Sequence, residues 1–138
     1  MKQITIILGI SLLLFSCGKK TTTPPVTTET TTQKIQKKWN ITNIKDIMYV
    51  GQQTTTIDTT INNYGVSGDY VEFQTNGKAV MHFFGGTDTV NYSIISDTKL
   101  TFDGDEFTIN TLNQTDFVFT YYNRTDPDYY DNVVILKR

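Results

Sequence analysis

Residues 34–138 read as an all-β domain of about eight antiparallel strands in up-and-down order, closed into a barrel. Three observations carry this. β-branched and aromatic residues come in short runs cut by turn residues, which is the strand pattern. No stretch of the domain holds a sustained helical period. The connections are short and sequential, so each strand is expected to pair with the next. A meander of this length with no covering helix leaves two open edges, and closure removes them. A two-layer sandwich is the alternative.

The elements follow in order. Residues 39–50 form a first strand, with a break or bulge expected near Asn43 or Asp46. Residues 54–61 are a Thr/Ile-rich stretch with a weaker strand pattern. Residues 70–74 are a strand, and Thr75-Asn76-Gly77-Lys78 a hairpin turn in which Asn-Gly suits type I′ geometry. Residues 79–84 follow, and Gly85-Gly86 turns the chain. Residues 87–95 alternate, with Val90, Tyr92 and Ile94 on one face. Residues 99–102 pair Leu100 with Phe102, and Asp103-Gly104 is a tight turn. Residues 106–112 put Phe107 and Ile109 on one face, and Leu112 breaks the alternation. Residues 116–122 offer Phe117, Phe119 and Tyr121. A polar loop over 123–128 leads to a last strand over 129–136, apolar on both faces.

Residues 1–33 read differently. Lys2 precedes an apolar run from Ile4 to Phe15, about 18 Å long as a helix and too short for a hydrocarbon core of about 30 Å. Residues 1–16 are expected to be a signal peptide. The run ends at Leu14-Phe15-Ser16-Cys17, which resembles a bacterial lipobox. That resemblance implies a thioether-linked diacylglycerol on Cys17, cleavage before it, and N-acylation, so that membrane lipid is the first expected partner. An ordinary secretory signal with Cys17 incidental is the alternative. Of residues 18–33, eight are Thr and only Val26 is a sizeable apolar residue. Little there offsets the entropy of ordering, so residues 17–33 are read as the lipidated Cys and a Thr/Pro-rich tether.

Composition excludes several function classes. The 138 residues carry a net charge of −2, which offers no basic face for nucleic acid. Residues 34–138 hold nine Lys and Arg against thirteen Asp and Glu, a net −4. With one Cys and one His there is no intrachain disulfide and no multi-His metal site. No nucleophile–base pair and no Gly-rich phosphate loop is identifiable. The domain is read as non-catalytic, with no cofactor and no metal.

The strands and turns resemble the lipocalin-like domains of Bacteroidota lipoproteins. The matching residues are Lys38-Trp39, Tyr70-Val71-Glu72-Phe73 before Asn76-Gly77, residues 88–94, Lys99-Leu100-Thr101-Phe102, and Glu106-Phe107-Thr108-Ile109 followed by Leu112 and Phe117. They span most of 38–136. Lys37 replaces the Gly usual two residues before the Trp, and neither the helical lead-in nor the C-terminal helix of full lipocalins is visible in the sequence. The resemblance implies a barrel with a cup for a small apolar molecule, or a barrel used as a binding scaffold. An outer-membrane anchor on the periplasmic face is expected, because Gly18-Lys19-Lys20 is neither the Asp of inner-membrane retention nor an acidic surface-export run.

A cup, if open, would be walled by Trp39, Tyr92, Ile94, Leu100, Phe102, Phe107, Ile109, Phe117, Phe119 and Tyr121, each on the apolar phase of its strand. Sixteen aromatic residues in the domain could also plug a short barrel. An accessory role, contacting an envelope protein complex or a glycan through the outer wall, is the alternative to a small hydrophobic ligand. His82 reads as an ordinary strand residue sharing a face with Val80 and Phe84. The acidic clusters Asp103-Gly104-Asp105-Glu106 and Asp126, Asp128 and Asp131 read as solvated loops rather than Ca²⁺ sites. Thr59 and Thr89, in Asp-Thr-Thr and Asp-Thr-Val, match the acceptor pattern of Bacteroidota O-glycosylation.

Overall fold

The computed structural model describes residues 28–49, 67–125 and 128–138. A short helix, α1 (Thr31–Ile35), leads into eight strands: β1 (Lys38–Tyr49), β2 (Tyr70–Phe73), β3 (Lys78–Phe83), β4 (Gly86–Ser96), β5 (Lys99–Phe102), β6 (Asp105–Leu112), β7 (Asp116–Thr125) and β8 (Asp128–Lys137). Every strand pairs antiparallel with its neighbours in sequence, and β8 pairs with β1, so the barrel is closed in the order β1 to β8. This is the up-and-down barrel expected from the sequence, not a sandwich. The Thr/Ile-rich stretch over 54–61 lies outside the described residues, as do residues 1–27.

The barrel has two unlike ends. The β2–β3, β4–β5 and β6–β7 hairpins and α1 gather at one, the closed end; the β3–β4, β5–β6 and β7–β8 hairpins gather at the other. Trp39, Phe73, Leu100, Phe117 and Leu136 are fully buried toward the closed end. Phe117 lies 5.5 Å from Trp39, 5.7 Å from Phe73 and 4.8 Å from Phe119, ring centre to ring centre. Phe119 continues the column to Phe107 at 5.3 Å and Phe102 at 6.0 Å. Tilted pairs of this kind add about 0.5–1.5 kcal/mol each beyond the area they bury. Tyr92 joins the core edge-on to Phe73, and its hydroxyl donates to Gln74 O at 2.7 Å, so the buried phenol is satisfied.

The closed end is capped by a segment the sequence places in the tether. Thr30 caps α1: its Oγ1 accepts from Gln33 N, and Gln33 Oε1 accepts from Thr30 N, a reciprocal capping box. Ile35 is fully buried, and its carbonyl accepts from Trp39 Nε1 at 3.1 Å. Glu29 accepts from Lys37 Nζ and from Gln114 Nε2, and Thr31 Oγ1 donates to Asp97 at 2.5 Å. Residues 29–33 therefore belong to the folded body, and a helical lead-in is present. One buried isoleucine and four side-chain anchors order a stretch whose composition alone could not.

Three bulges shift the face that each strand presents. Register breaks fall between Ile41 and Asn43 in β1, Ile94 and Ser96 in β4, and Ile109 and Thr111 in β6. The first and third lie where the sequence breaks alternation. Two turns differ from expectation. At the β2–β3 hairpin only Gly77 has positive φ, at 78°, so this is not a type I′ turn but a three-residue loop closed by a left-handed glycine, with Gln74 N donating to Lys78 O. At the β3–β4 hairpin Gly86 already pairs with Phe83, and the turn is made by Phe84 and Gly85, both at positive φ. The polar loop after β7 is shorter than expected: Asn123, Arg124 and Thr125 pair with Tyr130, Tyr129 and Asp128.

Candidate functional site

Among the described residues the barrel interior holds an unfilled apolar space above the closed-end core. A cavity of about 160 Å³ lies among Ile41, Ile44, Val71, Met81, Phe102, Phe107, Phe119, Asn132, Val134 and Leu136. Each of these follows from the register. Leu136 pairs with Ile41, Val134 with Ile44, and Asn132 with Asp46, so β1 and β8 present these pairs inward in ascending order from the closed end. Phe119 pairs with Val134 across β7 and β8, and Val71 with Met81 across β2 and β3. Phe102, Phe107 and Phe119 form the floor and one wall. Farther up, Met48 pairs with Tyr130, whose ring is 5.9 Å from Tyr121. Met48 is 56 % exposed, so the described rim gives onto solvent there.

The wall is apolar except at its upper edge. Asn132 Nδ2 donates to Asp46 Oδ1 at 2.6 Å. Asp46 is two residues beyond Ile44 on the inward face of β1, at half-buried depth. An apolar cup with one polar pair at its mouth can seat a compact molecule and orient it by one hydrogen-bonding end.

All ten residues the sequence assigns to the wall face inward, but only Phe102, Phe107 and Phe119 line the cavity. Trp39, Leu100 and Phe117 are wholly packed in the closed-end core. Tyr92 and Ile109 are buried, and Ile94 and Tyr121 pack against the core from its margins. The seven other lining residues lie on β1, β2, β3 and β8. The β1 set was hidden by the bulge after Ile41, and the β8 set by apolar residues on both faces from Val133 to Leu136.

Elsewhere the candidates separate cleanly. His82 lies on the outer wall, its ring stacked on Tyr70 at 5.5 Å and its Nδ1 3.0 Å from Thr87 Oγ1. Asp103 and Gly104 form the β5–β6 turn, both at positive φ. Thr89 is exposed on β4, its N–H donating to Asp88 Oδ1; Thr59 and Cys17 lie outside the described residues. Among the described residues no group of three His, Cys, Asp or Glu is placed to hold a metal ion, and no helix is long and apolar enough to cross a membrane.

Asp131 is not in a solvated loop. It is a β8 residue on the outer wall, 6 % exposed, beneath Tyr49 and Arg124. Tyr49 OH donates to its Oδ2 at 2.6 Å, and that bond, with burial, raises the Tyr49 phenol above its ordinary pKa. Arg124 NH1 forms an ion pair with Oδ1 at 2.5 Å; its guanidinium, raised by the same carboxylate, lies about equally over Tyr49 and Tyr122, at 5.3 and 5.1 Å. A polar groove of about 400 Å³ runs outside the barrel between α1 and β6, bordered by Lys34 and Asp97.

Compared with protein-family models, with curated proteins and with solved structures, the chain matches none of them.

Proposed function

We propose that this chain is a lipid-anchored, lipocalin-like lipoprotein whose barrel binds a small hydrophobic ligand and does no chemistry on it. The observation that carries the binding half is the apolar cavity between Phe119 and Val134. Its volume, about 160 Å³, lies well below the ~300–1,000 Å³ of drug-sized sites. It is close to the ~150 Å³ apolar cavity that stays dry and takes up benzene. The ligand is therefore one ring or a short branched chain, not a fatty acid or retinoid taken up whole. The anchoring half rests on Leu14 to Cys17, with several acyl chains on one residue giving stable attachment, on the periplasmic face of the outer membrane.

Thermal unfolding with toluene and with palmitate tests the binding half. Toluene is expected to raise the midpoint, because a ligand that binds only the folded state stabilises it by mass action; palmitate is expected not to. No shift with toluene would remove the reading. Cys17→Ala is expected to abolish acyl labelling and release the protein from membranes, and unchanged membrane retention would remove the anchor.

A second reading, contact with an envelope protein or glycan, is favoured by the outer-wall patch in which Arg124 lies over two tyrosine rings and Tyr122 is 43 % exposed. It predicts that Tyr122→Ala changes co-purifying material while leaving toluene binding intact.

A further inference from the structure

The polar pair at the mouth of the cup says which compact ligand it takes. Asp46 faces the barrel interior on β1, in register with Asn132, which lines the cavity. Among the described residues its side chain accepts from the neutral Asn132 amide, at 2.6 Å. The ion pairs among the described residues join Lys37 to Glu29, Lys99 to Glu106, Arg124 to Asp131 and Lys137 to Asp116, and none of them uses Asp46. Lys45, its chain neighbour, pairs with Val133 on the opposite face of the strand. A carboxylate at half-buried depth beside an apolar cavity, with no described cation against it, repels an anion and is completed by a cation.

We infer that the ligand is a compact primary amine, its apolar body between Phe119, Met81 and Val134 and its ammonium on Asp46, with the Asn132 amide fixing the carboxylate's orientation. This rests on the ligand-binding reading above and narrows it. One N–H of Asn132 Nδ2 is held by Asp46 Oδ1, and the remaining lone pairs of that carboxylate are the charged acceptor at the mouth. Hydrogen bonds to charged groups are the strong ones, so the amine end is expected to contribute about tenfold or more in affinity over the same ring without it.

The test uses three probes of one size on the full chain: benzylamine, toluene and benzoate, titrated by calorimetry, with the Asn132 side-chain amide signal followed by NMR. The expected order is benzylamine tightest by about tenfold or more, then toluene, with benzoate weakest, and the Asn132 signal moving with benzylamine. Asp46→Asn keeps the shape and removes the charge, and is expected to bring benzylamine within about threefold of toluene. That arm separates the cup from general attraction of a cation to an acidic domain, which Asp46→Asn would leave standing. Benzoate binding as well as benzylamine, or a benzylamine preference unchanged in Asp46→Asn, would overturn the inference while toluene binding still upheld the cup. The wild-type ranking decides the matter if Asp46→Asn does not fold. Failure of all three probes would instead overturn the cup, and the amine with it.

Discussion

The indole Nε1 of Trp39 donates to the carbonyl of Ile35 at 3.1 Å, and both residues are fully buried. This bond ties α1 to the first turn of β1 and closes the barrel floor. Arg138 covers the outer side, its guanidinium 4.8 Å from the indole ring and its backbone N donating to Thr115 O. The floor is thus built from both ends of the described chain.

Ile35→Ala is expected to destabilise the domain by roughly 2–5 kcal/mol, the range for a fully buried isoleucine whose site cannot collapse. Urea unfolding measures it. Trp39 emission should shift to the red in the folded variant, because the floor above the indole becomes permeable to water.

Acid should loosen the same floor. Hydrogen bonds from Lys37 and then Gln114 hold the Glu29 carboxyl below its ordinary pKa. A lowered carboxylate contributes stability that is present above its unfolded value and lost as pH falls through the folded one. Stability is therefore expected to decline below about pH 4.5, with that share of the slope absent in Glu29→Gln. Unfolding midpoints of the two proteins across pH 3–6 give the comparison.

At the other end the sign reverses. The Tyr49 phenol is raised by its hydrogen bond to Asp131 and by burial. A raised group contributes stability present below its unfolded value, near 10.0, and lost as pH climbs through the folded one. Tyr49→Phe should be less stable than the parent at pH 8 and converge on it above pH 10. Parallel stability curves over that range would contradict the assignment.

How much of this was legible in the sequence depends on the strand. β5, β7 and the stretches of β4 and β6 ahead of their bulges alternate between turn residues, so their inward faces could be read off Val90, Tyr92, Leu100, Phe107 and Phe119. In β1 the bulge between Ile41 and Asn43 resets the phase, so Ile44 and Asp46 face inward with Trp39 and Ile41, where strict alternation would turn them outward. In β8 Val133 to Leu136 are apolar throughout, and no alternation marks Val134 as inward. Half of the cavity's lining lies on those two strands, which is why the aromatic residues mark the packed core and, of the cavity, only Phe102, Phe107 and Phe119. The helix escaped because five residues are too few for a period; its one local signal was the capping pair Thr30 and Gln33 ahead of Ile35. Where Phe84 is concerned, the turn chemistry itself misleads: a phenylalanine at φ 48° occupies a place the Gly-Gly pair seemed to claim.

Phe119→Ala separates packing from binding. Phe119 is 1 % exposed, touches Phe102, Phe107 and Phe117, and also lines the cavity. Truncation is expected to cost about 3–5 kcal/mol and to enlarge the cup. A ligand larger than toluene, such as naphthalene, should then restore part of the lost stability to the variant and little to the parent.

The most direct measurement is a methyl-detected NMR titration of the folded domain with toluene. Binding in the cup should move the methyl signals of Ile44, Met81 and Val134, which ring the cavity, in one saturable phase. The methyls of Ile35 and Leu100, packed in the closed-end core, should stay in place. Uniform, non-saturating drifts across both sets, or no movement at Met81 and Val134, would contradict the barrel as a ligand cup.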